Sequence, residues 1–114
     1  MPTFYRIVVT KPPTVEDFKS NAGKGLSPHT ADAETIRLCD GISVYATLAQ
    51  ARRKRRQRPV LGAYIAAIDV PSVRGFRIER TTRSDGHHTL WGEPFSLLAL
   101  VIEVVSPFIQ EMPR

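Results

Sequence analysis

The sequence predicts a single α+β domain over residues 1–114, with about five mostly antiparallel strands and two or three short helices. Three observations lead there. Short stretches rich in β-branched and aromatic residues recur along the chain and cluster after residue 60, which favours α+β over strict βαβ winding. Helical signals are brief, each opened by a hydroxyl, an acid or a proline and closed by Gly, Asn or Pro. With 114 residues, 42% of them hydrophobic, the chain can bury one core without a staple.

Phe4–Val9 reads as the first strand, with Phe4, Arg6 and Val8 sharing one face. A cation among apolar neighbours there reads as an edge-strand side chain reaching solvent, or as an anion contact. Thr14 then caps a short helix whose first turn carries Glu16 and Asp17, well placed against the positive end of its dipole. Gly23–Thr30 is a loop. Its two glycines and Lys24 invite a phosphate-loop reading, but the G-x-x-x-x-G-K-[ST] pattern is absent.

Residues 31–39 fit a two-turn helix, and Asp40-Gly41 turns the chain into a strand over Gly41–Ala46. Thr47 and Gln50 form a capping box for a helix over 47–58. Ala63–Val70 is the clearest core strand. Residues 75–82 alternate in a way that suits a sheet edge, where a second copy of the chain could pair. Residues 87–92 read as a strand or an ordered loop. Pro94 opens a helical turn to about Ala99, and a final strand runs to Val105 because the β-branched crowding at 101–105 disfavours a longer helix. The tail, 108–114, is expected to be loose.

The lone Cys39 excludes an internal disulfide and suits a reducing, cytoplasmic setting. No apolar run approaches the roughly 18 residues of a membrane span. Sixteen Lys and Arg against eleven Asp and Glu give a net charge of +5. Six of those cations, Arg52, Arg53, Lys54, Arg55, Arg56 and Arg58, lie within seven positions. Without them the balance is ten cations to eleven acids, so the basicity is local. Past Ala51 nothing apolar appears before Val60, so these side chains are expected to project into solvent or onto an anionic partner. The run holds no aromatic residue on which a base could stack.

His87 and His88 are adjacent and, on a strand, point to opposite faces, so they do not grip one metal together. No familiar metal-ligand spacing involves His29, Cys39 or Asp85, and no metal is expected. One of the paired histidines suits an acid–base or ligand-contacting role. Trp91 is expected either to line a pocket or, the favoured reading, to plug the core. A serine-hydrolase elbow, G-x-S-x-G, is absent.

The order FYRIV, DFKSNAGKG, GISVYATLAQA, AYIAAIDVP and GHHTLWGEP resembles small bacterial single-domain proteins. More distantly, it is similar to the ADP-ribosyltransferase-like fold. That resemblance implies a first-strand arginine on a nicotinamide dinucleotide (NAD), matched by Arg6. It implies a Ser/Thr-rich strand shaping the pocket, matched by Ser43 and Thr47. It also implies a late glutamate for transfer, for which Glu79 and Glu93 are the carboxylates available.

Two functions follow. One is a non-enzymatic interaction module that needs no cofactor and docks an acidic protein or nucleic acid on the basic helix 47–58. The other is an ADP-ribosyltransferase-like nucleotide-binding domain, active or degenerate, with a pocket from Arg6, Ser43, Thr47 and His87 or His88, and NAD as its cofactor.

Overall fold

A computed structural model describes residues 2–27, 32–81 and 86–108. In chain order, strand β1 covers Thr3–Val8, a 3-10 turn Val15–Phe18, helix α1 Ala33–Cys39, strand β2 Ile42–Tyr45 and helix α2 Leu48–Gln57. A second 3-10 turn, Pro59–Leu61, is followed by strands β3 Tyr64–Asp69, β4 Arg77–Arg80 and β5 His87–Trp91, helix α3 Pro94–Leu98 and strand β6 Val101–Val105. The strands form one sheet in the order β4-β5-β2-β1-β3-β6, antiparallel throughout. The α+β expectation holds, with six strands rather than five. The additional one is His87–Trp91, which pairs with both β2 and β4.

Period-two alternation gives the sheet two apolar faces. On one, Phe4, Val8, Ile42, Val44, Ala66, Ile68 and Leu90 meet Phe18 of the first 3-10 turn and Leu97 of α3. Phe18 and Leu97 are almost wholly buried, and each anchors a short element with about 1.5–3 kcal/mol of burial. On the other face, Ile7, Tyr45 and Ile65 pack against Ala51 of α2, with Leu48 and Leu61 alongside.

Strand β1 lies between β2 and β3, so Arg6 is not the edge-strand cation the sequence suggested. Strand β4 does lie at one edge, and β6 forms the other. Trp91 is not a core residue either. It is half-buried beside α1, with the guanidinium carbons of Arg37 and Arg77 lying 4.9 and 5.9 Å from its ring centroid. Its indole N–H donates to the Arg37 carbonyl at 3.0 Å. Among the described residues, no helix is long and apolar enough to cross a membrane. The expected turn at 83–85, most of the loose tail and His29 lie outside the described residues.

Candidate functional site

Strands β1 and β2 part almost as soon as they meet. β1 pairs with β3 over six positions, but its ladder with β2 is the single pair Tyr5 and Tyr45. Arg6 bridges the fork. Its Nε donates to the Asp17 carbonyl at 3.2 Å and its Nη1 to the Ser43 carbonyl at 2.9 Å. The guanidinium, whose planar fork of donors suits the task, thus ties a β2 carbonyl and a carbonyl of the first 3-10 turn to β1. Burial lowers the Arg6 pKa to about 10, against the opposing pull of the Asp17 carboxylate, and the group stays cationic at neutral pH.

Asp17 is the strut beneath this arrangement. Its carboxylate accepts from the Val9 amide at 2.7 Å, the Thr10 hydroxyl at 2.8 Å and the Thr14 amide at 3.0 Å. Burial pushes its pKa up, but those donors and the Arg6 charge outweigh it and hold the carboxyl below its usual range. The acid expected to serve the helix dipole therefore tethers the end of β1 to the following turn.

A cleft of about 570 Å³ opens at the fork. Arg6, Lys19, Lys24, Lys54 and Arg58 supply its cations, and Ser43, Tyr45 and His87 its other hydrogen-bonding side chains beside Ser20 and Asn21. No carboxylate among the described residues lines it. Lys19 shares its charge with Glu16 at 2.6 Å. The cations arrive from β1, the 19–24 turn and α2 with its capping residue Arg58, so three separate segments converge here.

The six clustered cations divide by helical position. The stripe that buries Ala51 continues through the second half of α2, so cations at helical spacing from it turn back toward the protein. Lys54 and Arg58 reach the cleft. Arg52 donates to the Ser106 carbonyl at 3.4 Å. Arg55 donates to the Gly62 carbonyl at 3.1 Å and lies 5.0 Å from the Phe108 ring centroid. Arg53, Arg56 and Arg58 are exposed, and of these Arg53 and Arg56 do not line the cleft. Projection of the whole run into solvent is thus corrected: the helix is apolar on one face for a single turn, and arginine stems cover the rest. Among the described residues no α2 cation pairs with a carboxylate. Lys54, Arg55 and Arg56 also fall in the last turn, where the helix dipole favours positive charge and offsets their mutual repulsion.

Of the pocket residues expected from the sequence, Arg6, Ser43 and His87 lie together in the cleft. His87 Nε2 is 2.8 Å from Ser43 Oγ, its Nδ1 is 2.6 Å from Thr81 Oγ1, and its ring rests against Tyr45 with centroids 5.6 Å apart. Thr47 and His88 line no part of the cleft. Thr47 is spent as the α2 cap, accepting from the Gln50 amide at 3.1 Å. His88 faces the opposite side of the sheet, its ring tilted against Phe4 with centroids 5.0 Å apart and its Nδ1 2.8 Å from the Gly86 carbonyl. Lys19, Lys24 and Tyr45 belong to the cleft but were not among the expected pocket residues. The signal for the two lysines is their spacing around a tight turn in KSNAGK, where Ser20 and Asn21 accept the chain-reversing hydrogen bonds.

Glu79 and Glu93 are both engaged elsewhere. Glu79 binds Arg37 at 2.8 Å and Arg77 at 2.7 Å, and the Arg37 hydrogen bond foremost holds its pKa low. Glu93 caps α3 through the Phe95 and Ser96 amides, which lower its pKa in turn. No group of three His, Cys, Asp or Glu among the described residues is arranged to hold a metal ion. No family model, curated protein or solved structure matches the chain.

Proposed function

We propose that the chain binds a small phosphate-bearing ligand of the nucleotide class in the cleft between β1 and β2. The observation that carries this reading is the convergence of cations from three segments on one concavity with no acid among its described lining residues. Such an arrangement is costly unless an anion offsets it, because like charges repel across a partly dry site. The cleft volume of about 570 Å³ falls within the range typical of small-ligand sites.

This reading draws on both sequence expectations. It keeps anion binding by the basic helix, narrowed to Lys54 and Arg58. It keeps Arg6 and Ser43 as pocket residues in the manner of ADP-ribosyltransferase-like domains, with His87 beside them. It does not include glycosyl transfer through Glu79 or Glu93, since both are held away from the cleft by other partners.

Titration calorimetry with ADP, NAD, inorganic phosphate and a short single-stranded oligonucleotide tests it. ADP binding that weakens as salt rises is the expected result. Absence of heat with ADP, NAD and phosphate alike would remove the reading.

A further inference from the structure

Ser43 and His87 stand in the relation of a nucleophile to its base. The hydroxyl lies on the exposed part of β2, lining the cleft, with His87 Nε2 2.8 Å away. The imidazole is held on its far side by Thr81 Oγ1, 2.6 Å from Nδ1, and Thr81 Oγ1 in turn accepts from the hydroxyl of buried Thr89 at 3.2 Å. In the tautomer that carries the ring proton on Nδ1 and donates it to Thr81, Nε2 accepts from the serine hydroxyl. A nucleophile within hydrogen-bond reach of a base, with the base oriented by a third group, is the arrangement that activates serine.

Placed beside Arg6, Lys54 and Arg58, this pair has its charge stabilisation at hand. Arg6 spends Nε and Nη1 on protein carbonyls, while Lys54 and Arg58 pair with no described carboxylate.

We propose that Ser43 and His87 are the catalytic pair of a phosphomonoester hydrolase, a proposal that rests on the cleft's binding phosphate. Ser43 Oγ attacks phosphorus and its proton passes to His87 Nε2. The bond from phosphorus to the ester oxygen breaks, and that oxygen leaves as an alcohol with the proton returned by the imidazolium. Water, deprotonated by the same Nε2, then attacks the phosphoserine. Inorganic phosphate departs and Ser43 recovers its proton. Cationic side chains around the phosphoryl oxygens carry the charge in both steps.

The test uses the full chain with para-nitrophenyl phosphate as substrate and inorganic phosphate as the binding probe. Wild type is expected to release nitrophenol and phosphate, and acid quenching during turnover to leave a phosphoryl group located on Ser43 by peptide mass spectrometry. Ser43→Ala and His87→Gln are each expected to lower kcat/KM by about 100-fold or more while melting within a few degrees of wild type. Ser43→Ala is expected still to bind inorganic phosphate. Phosphate binding without turnover by wild type, or unchanged turnover by folded Ser43→Ala, would overturn the catalytic pair and leave the binding site standing. Failure of wild type to bind phosphate at all would overturn both.

Discussion

Two double substitutions with the same change in net charge separate a cleft ligand from one held on the outer face of α2. Lys54→Ala with Arg58→Ala removes two cations that line the cleft. Arg53→Ala with Arg56→Ala removes two that are exposed and do not. Each double variant lowers the net charge from +5 to +3. A unit charge at about 4 Å from a phosphate oxygen contributes about 1 kcal/mol in water and about 4 kcal/mol at an effective dielectric of 20. Lys54 is half-buried and Arg58 exposed, which places both near the lower figure. About 1 kcal/mol apiece corresponds to about five-fold per cation and roughly 30-fold for the pair. Arg53 and Arg56 act only through a field screened over about 10 Å at 0.1 M salt, and their joint removal is expected to cost about two-fold or less. Calorimetric titration with ADP in about 0.1 M salt reads both. Equal losses in the two variants would mean that net charge alone attracts the ligand. A larger loss from Arg53 and Arg56 would move the site to the outer helix face, as an extended nucleic acid on that face requires.

Two further outcomes concern the frame that holds the cleft. Asp17→Asn is expected to destabilise the fold by about 2–3 kcal/mol at pH 7, since it replaces a charged acceptor of three hydrogen bonds. Because the Asp17 pKa is lower folded than unfolded, its contribution is complete above about pH 4 and is lost as pH falls through the folded value. Urea denaturation should therefore show the gap between wild type and variant narrowing from pH 7 toward pH 2, and an equal gap at both would contradict the assignment. Gly62→Ala would set a Cβ against the backbone oxygen of Val8, an atom with little room to yield. A loss of about 1–3 kcal/mol is expected, read as a lowered Tm by circular dichroism, and an unchanged Tm would show that the 3-10 turn can move off β1.

Much of the architecture could be read from local chemistry. Thr47 and Gln50 make the capping box their spacing announces, with the Gln50 carboxamide accepting from the Thr47 amide at 3.1 Å. The crowding of β-branched residues at 101–105 does yield a strand, and Pro94 does open a short helix. Arg6 was misplaced for a physical reason. Strand order depends on pairings between residues far apart in sequence, and a cation on an apolar strand suits an edge by default. Its actual position, central but unpaired with β2 beyond Tyr5, exists because the sheet forks there. Trp91 went astray similarly: the arginines that flank it come from α1 and β4, and nothing near it in sequence foretells them.

Glu79 and Glu93 teach the same lesson from the other side. Each was the right residue type for a catalytic acid. Whether a carboxylate is available depends on which donors reach it first, and both are already held, one by two arginines and one by two backbone amides.

By itself the sequence determined the α+β class, most element boundaries, the local origin of the positive charge and the opposite facing of the two histidines. These follow from periodicity, capping and composition, which act over a few residues. Only the tertiary structure decided that Arg6, Ser43, His87, Lys54 and Arg58 would meet. It decided too that Arg52, Lys54 and Arg55, half of the basic run, would turn back toward the protein, because the face a helix shows its partner is set by the one small residue, Ala51, that the sheet can bury.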